Sequence, residues 1–311
     1  MKILVTGGAG NIGGSLCREL VKDNTNFVDI VDNLSTGSRD KLPALEFDNW
    51  KFYEIDINDE YEFNKSLETK NYDYIFHYAA VVGVNRTLEN PKLVLNDIEG
   101  IKNVLNYGKL NNVKRIFFSS SSEVYGEPVE IPQKENTTPL NSKLPYAVVK
   151  NLGESYFRAY NQEDNLKYTI FRFFNTYGPL QSEDFVITKF IKQALSNQDL
   201  TIYGDGSQTR TFCFIDDNIK ATIKCLKDNQ FINDVLNIGS DQEISILELA
   251  ELIIRVTESN SNIIFLPALP EGDMTRRKPD ITKMKSIMEE EPISLEEGIL
   301  KSVEKLNSKG T

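Results

Sequence analysis

MKILVTGGAGNIGGSLCREL, residues 1–20, sets three glycines, Gly7, Gly10 and Gly13, between a short apolar run and a helical pattern. Ile3, Leu4 and Val5 form a β-prone run that is too early and too short for a signal peptide. Ile12, Leu16 and Leu20 then recur at helical spacing, so the stretch reads strand, glycine-rich turn, helix. A side chain at the glycines would obstruct the turn, the approach of a pyrophosphate to backbone N–H groups, or the packing of helix on sheet. An anion is favoured at such a helix N-terminus, where N–H groups and the macrodipole face it. Glycine-rich turns also serve only to reverse the chain, so the weight rests on the flanking strand and helix.

With 311 residues the chain is long enough for two unequal lobes, and its formal net charge of −11 opposes binding to nucleic acid or to anionic membranes. An anionic ligand therefore needs a local basic pocket. No apolar stretch approaches the ~20 residues of a spanning helix, which predicts a soluble cytoplasmic protein. Cys17, Cys213 and Cys225 are widely spaced and lack a C-x-x-C, a pattern expected of packed, reduced thiols without a disulfide or metal site. His77, the one histidine, ends a buried-looking strand and reads as satisfied by a local hydrogen bond.

Apolar runs at KILVTG, NFVDIVDN, KFYEIDIND, YDYIFHYAA, VKRIFFSSSS and KYTIFRFFNTYG alternate with helical or charged stretches. Near-continuous apolar strands in a βαβ alternation predict an α/β fold, a doubly wound parallel sheet of the Rossmann kind, over residues 1–180. Residues 181–311, with helical patterns in DFVITKFIKQALSN and SILELAELIIRVTE, are expected to form a smaller α/β substrate-binding lobe, the two lobes interleaved by chain crossovers. Residues 91–110, PKLVLNDIEGIKNVLNYGKL, read as a helix, and residues 306–311 as a frayed tail.

The second strand ends at Asp32, at the spacing where an acid accepts both ribose hydroxyls of an adenosine and repels a 2′-phosphate. NAD is therefore expected in preference to NADP. Asn11 and Ile12 lie between the glycines, Asn33 follows Asp32, and Asp56 and Ile57 end the third strand near the expected adenine. Ala79 and Ala80 follow the fourth strand. With the glycines these make up the candidate cofactor site, joined by Tyr146 and Lys150.

PYAVVK places Tyr146 and Lys150 four residues apart at the start of a helical pattern, on one face. A phenol of pKa ~10 is only about 0.1 % ionised at pH 7, so a base role needs neighbouring cations, and Lys150 is expected to help lower that pKa. Just upstream, RIFFSSSSEVYGEP runs a buried strand out into hydroxyls at the carboxyl end of the sheet, where ligands of open α/β sheets bind. Ser121 can relay a proton between a sugar hydroxyl and Tyr146, while Ser119 and Ser120 read as structural. Glu123 can act on a ring C–H once the neighbouring carbon is oxidised.

TGGAGNIG, DNLSTG, HYAAVVGV, SSSEVYG, YAVVK, RFFNTYGP, YGDGSQTRTFCFIDD and RRKPDI, in that order over nearly the whole chain, resemble the extended short-chain dehydrogenase/reductase family, in its nucleotide-sugar epimerase, dehydratase and decarboxylase branch. The resemblance implies that Ser121, Tyr146 and Lys150 are catalytic and that Asn175 and Arg210 hold the diphosphate of a nucleotide sugar, UDP-linked in preference to GDP-linked. Ser122, Arg86 and Arg277 join them as substrate candidates. It also implies a homodimer built on residues 91–110 and the helix carrying Tyr146, and a first step that oxidises the sugar at C4. Glu123 stands where simple 4-epimerases often carry threonine, and SQTRTFCFIDD and RRKPDI look most like UDP-glucuronate decarboxylases. AAVVGVNRTLENP, by contrast, looks like generic 4-epimerases. The expected activity is therefore a UDP-sugar 4-epimerase or a UDP-glucuronate decarboxylase. A 4-dehydrogenase releasing the 4-keto sugar, a 4,6-dehydratase and, outside catalysis, an NAD-holding regulatory protein stay open.

Overall fold

The computed structural model describes residues 1–267 and 276–307. Four residues of the expected frayed tail, 308–311, lie outside the described residues. The chain opens with β1 (Lys2–Thr6), α1 (Asn11–Leu20), β2 (Phe27–Asp32), β3 (Trp50–Glu54), α2 (Glu60–Leu67) and β4 (Tyr74–His77). Helices α3 (Val84–Glu89), α4 (Pro91–Leu95) and α5 (Asp97–Leu110) lead to β5 (Arg115–Ser121), and α6 (Pro145–Asp164) leads to β6 (Tyr168–Phe173). Next come β7 (Thr176–Tyr177), α7 (Val186–Leu195), β8 (Leu200–Tyr203), β9 (Thr209–Thr211), β10 (Cys213–Phe214) and α8 (Ile215–Lys227). The remainder is β11 (Asp234–Ile238), β12 (Glu243–Ser245), α9 (Ile246–Val256), β13 (Ile263–Leu266), α10 (Thr282–Ile287) and α11 (Leu295–Asn307).

Seven strands form one sheet in the order β11-β6-β5-β4-β1-β2-β3, and each neighbouring pair from β3 to β6 is parallel. The chain winds outward from β1 to β3, returns to the other side of β1 at β4, and winds outward again, which is the doubly wound Rossmann arrangement. The reversal leaves a crevice beyond the carboxyl ends of β1 and β4, the ligand position of such sheets. β5 is buried along its whole length, and Ile116, Phe117 and Phe118 have no exposed surface. Such a strand reads as a continuous apolar run because helices cover both faces of the sheet. The helix expected over residues 91–110 is interrupted at Asn96, whose N–H is shared between the Lys92 and Leu93 carbonyls at 3.2 Å each.

The chain divides into two compact units, and the division does not fall at residue 180. The first unit holds Met1–Val124, Ser142–Phe173 and Thr222–Leu236; the second holds Tyr125–Asn141, Phe174–Ala221 and Asn237–Thr311. Residues 222–236 join the first unit because they carry the chain back to the sheet, where β11 becomes the edge strand beside β6. Within the second unit β9 pairs antiparallel with β12, and α9 starts at a capping box in which Ser245 and Glu248 exchange hydrogen bonds. Cys17, Cys213 and Cys225 are buried free thiols. No helix among the described residues is long and apolar enough to cross a membrane.

Candidate active site

The turn after β1 lies against the loop after β4. Gly7 has φ +71°, and a Cβ there would stand 2.4 Å from the Ala79 amide nitrogen. A Cβ on Gly13 would stand 2.2 Å from the Gly7 carbonyl oxygen. Both positions therefore require glycine, and α1 begins between them at Asn11, with its first-turn N–H groups facing out of its N-terminus. Asn11 opens that helix, and nothing among the described residues hydrogen-bonds its buried Oδ1. Ile12 follows it in the same turn.

Asp32, at the end of β2, is nearly buried, and its carboxylate accepts N–H groups from Ala9 at 3.0 Å and Leu34 at 2.8 Å. Burial holds its carboxyl above the ordinary aspartate range, and the two N–H groups oppose that rise. Asn33 Nδ2 donates to Asp56 Oδ2 at 3.1 Å, and the Ile57 carbonyl accepts from Asn103 Nδ2 at 2.8 Å. The structure thus brings Gly7, Gly13, Asp32, Asn33, Asp56 and Ala79, with Ala80 beside it, to the carboxyl edge of one sheet.

The hydroxyl run ends β5 and turns into the 3-10 segment Ser122–Tyr125. The Glu123 N–H donates to Ser121 Oγ at 3.2 Å, and Ser122 is buried. α6 starts with Pro145 in its first turn and presents Tyr146 and Lys150 on one face. Lys150 is 3 % exposed, with Nζ 3.4 Å from Ser119 Oγ, 4.9 Å from the Phe118 ring centroid and 5.7 Å from that of Tyr146. Ser119, expected to be structural, is therefore a partner of the lysine. Ser120 is structural: its Oγ donates to Glu154 Oε1 at 2.7 Å, in a buried network with Arg172 and Arg158.

The electrostatics correct one expectation. Burial pushes the Tyr146 phenol well above its ordinary value, the Glu123 carboxylate pushes it further, and a hydrogen bond with Ser121 works the other way. The net shift of the phenol is therefore upward, where a lowering by Lys150 was expected. Burial lowers Lys150 itself to about 8, against the support of Asp97. His77 is neutral: burial, then the charge of Lys150, lowers it to about 3, and its Nδ1 shares a 2.8 Å hydrogen bond with Thr6 Oγ1, as its strand-end position suggests.

Arg86 Nη1 donates to the Val82 carbonyl at 3.0 Å in the loop after β4. Asn175, Arg210 and Arg277 belong to the second unit. Asn175 Nδ2 donates to the Thr211 carbonyl at 3.0 Å, while Arg210 and Arg277 are buried. Arg276 is exposed and engaged by Glu243 through hydrogen bonds of 3.0–3.2 Å, so of the two adjacent arginines Arg277 is the one the fold takes inside.

The NAD dependent epimerase/dehydratase family model matches residues 3–239. The chain belongs to this family. It is 37% identical to the UDP-N-acetyl-alpha-D-glucosaminuronate decarboxylase of Bacillus cytotoxicus, an alignment covering 97% of each chain. A putative UDP-glucose 4-epimerase of Methanocaldococcus jannaschii is 36% identical, again over 97% of both. The UDP-glucose 4-epimerase structure of Thermotoga maritima with UDP-glucose superposes with a TM-score of 0.93 at 32% identity over 100% of both chains. Members of the family are NAD-dependent enzymes, and the crevice of this one fits NAD: a glycine cradle that a Cβ would fill, the unpartnered Asn11 Oδ1 and the Asp32 carboxylate. Sequence reasoning missed Ser119, Asp97 and Glu154. Glu154 carried a signal, an acid one turn beyond Lys150 on the helix face that binds the sheet. Asp97 carried none, because an acid in a first helical turn is ordinary.

Proposed function

We propose that this family member oxidises a UDP-linked sugar at C4 and decarboxylates a UDP-hexuronic acid. Bound NAD would supply the hydride acceptor and a positive ring charge. Tyr146 takes the proton from the C4 hydroxyl through the relay of Ser121, and Lys150 holds positive charge beside it. Burial and Glu123 both hold the phenol high, so this deprotonation depends on cations near Tyr146. The observation that carries the decarboxylase reading is Glu123, a second acid–base group whose charge reaches the phenol. A 4-epimerase returns hydride to the opposite face of the same carbon and needs no group beyond Tyr146. Loss of CO2 from a 4-keto uronic acid leaves an enolate that must take a proton at C5, and we assign the steering of that proton to Glu123.

We assign the substrate diphosphate to Asn175 and Arg210, with Arg277, Arg86 and Ser122 as further substrate contacts. Buried guanidinium groups give an acidic protein the local cations a polyanion needs. The second reading, a UDP-sugar 4-epimerase, is favoured by the whole-length likeness to the M. jannaschii and T. maritima proteins. We further propose a homodimer through α4, α5 and α6, since Leu93 and Leu95 on α4 and Val148 and Leu152 on α6 are apolar and exposed.

Mass spectrometry of products from UDP-glucuronate, UDP-N-acetylglucosaminuronate, UDP-glucose and UDP-N-acetylglucosamine tests the reading. Loss of CO2 from a uronate is the expected result. Conversion at unchanged mass supports the second reading, and no conversion of any of the four contradicts both.

A further inference from the structure

Asp97 opens α5 with a buried carboxylate, 9 % exposed, that accepts the Val81 N–H at 2.7 Å. Asn58 is a further hydrogen-bond partner, and its Oδ1 also accepts the Gly100 N–H at 2.9 Å. The carboxylate is thereby tied to the loop after β4 and to the turn after β3. α5 and α6 each cross between parallel neighbouring strands, β4 to β5 and β5 to β6, so they cover the same face of the sheet and run side by side in the same direction. Their approach is close enough that a Cβ on Gly153 would stand 2.9 Å from Ile101 Cδ1. One turn back along each helix from that contact lie Asp97 and Lys150.

We propose that Asp97 is a positioning residue of the proton-transfer site, the buried counter-charge that keeps Lys150 an ammonium ion beside Tyr146. The proposal rests on reading Tyr146 and Lys150 as the proton-transfer pair. The groups facing Lys150 come from each element around it: Ser119 and Phe118 from β5, neutral His77 from β4, Tyr146 from its own helix and Asp97 from α5. Asp97 is the group of this set that brings a carboxylate. Glu154, the next acid along α6, is taken by Arg172, and Asp56, which faces Asp97 from the turn after β3, acts on it as a like charge. The coupling is mutual, since Lys150 draws the Asp97 carboxyl down while burial raises it. Asp97 also raises the Tyr146 phenol. Removing its charge therefore favours neutral Lys150 and ionised Tyr146 at lower pH, and both limbs of a bell-shaped profile move toward acid.

Asp97→Asn keeps an acceptor for the Val81 N–H and removes the charge. Nuclear magnetic resonance of the purified protein with carbon-13-labelled lysine follows the titration of Lys150, its signal identified by its absence from Lys150→Met. Lys150 is expected to titrate about one unit lower in Asp97→Asn, and the alkaline limb of kcat/KM to move with it. An unchanged Lys150 titration in the folded variant overturns the proposal. If Asp97→Asn does not fold, the reciprocal measurement decides: in Lys150→Met the carbon-13 carboxyl signal of Asp97 titrates higher than in the parent protein, and an unshifted signal overturns the proposal. These titrations need no substrate. A protein inactive on every UDP-sugar would defeat the functional reading while the titrations still decide the role of Asp97.

Discussion

Asp32 and Tyr146 are the residues at which single atoms carry the account. The Asp32 carboxylate is held by two backbone N–H groups at the carboxyl edge of the sheet, where a 2′-phosphate would meet a like charge. The parent protein is expected to prefer NAD over NADP, and Asp32→Ala to reduce that preference by about tenfold or more, near 1.4 kcal/mol. Calorimetric titration of cofactor-stripped protein with both nucleotides measures it. Tyr146→Phe is expected to lower kcat by about 10²- to 10⁴-fold while KM for the sugar nucleotide stays nearly constant, as for loss of a positioned acid–base group. For Glu123→Gln acting on a UDP-uronate, stopped-flow absorbance should show reduced nicotinamide accumulating as product formation fails. If the reaction is epimerisation, the variant keeps turnover within about tenfold. Tyr146, Lys150 and Ser121 were legible because a helix phase and a strand end suffice to place them. The direction of the phenol shift was not, since it depends on the burial around the hydroxyl and on the Glu123 carboxylate that the folded chain brings near it.

Among the elements, α6 does the most to shape the site, and its anchor is Glu154. The carboxylate has no exposed surface and accepts from Ser120 Oγ, Arg172 Nε and Nη2, and Arg158 Nη2 at 2.7–2.9 Å. It joins the helix of Tyr146 and Lys150 to β5 and β6, next to the hydroxyls that face them. Burial raises this carboxyl, but the arginines and Ser120 outweigh it and leave it below the ordinary glutamate range. A depressed folded-state pKa contributes stability that is present above the unfolded value and lost as pH falls through the folded one. Glu154→Gln removes the buried carboxylate charge that faces Arg172 and is expected to cost about 3–5 kcal/mol near neutral pH. The gap in melting temperature between variant and parent should narrow below about pH 4, as thermal melts across pH would show. The other decisive element is the turn after β1. Gly7→Ala would force a positive φ and a clash with the Ala79 backbone, so that variant is expected to purify without NAD.

For the whole molecule, the six apolar runs picked out along the sequence became β1 to β6; strands covered on both faces read as apolar runs, and the edge strand β3 is the half-exposed one among them. The seventh strand, β11, and the three-segment make-up of each unit were not legible, since DVLNI is short and mixed and its place beside β6 is a long-range choice. The cofactor was legible because its cradle is local in sequence, whereas the proposed substrate residues are spread from Arg86 to Arg277 and rest on the family resemblance. The proposed dimer face, with Leu93, Leu95, Val148 and Leu152 exposed, predicts a two-subunit mass by light scattering at micromolar concentration. Leu152→Glu should shift that mass toward one subunit.

The proposed reaction is oxidation at C4 followed by loss of CO2. Its most direct measurement is a single-turnover reaction of the NAD-loaded protein with a UDP-hexuronic acid, reading the near-ultraviolet absorbance of reduced nicotinamide and the mass of the sugar nucleotide together. The expected result is a transient rise in absorbance that decays as a product lighter by CO2 appears. A UDP-hexuronic acid recovered at its original mass, with no absorbance transient, would contradict it.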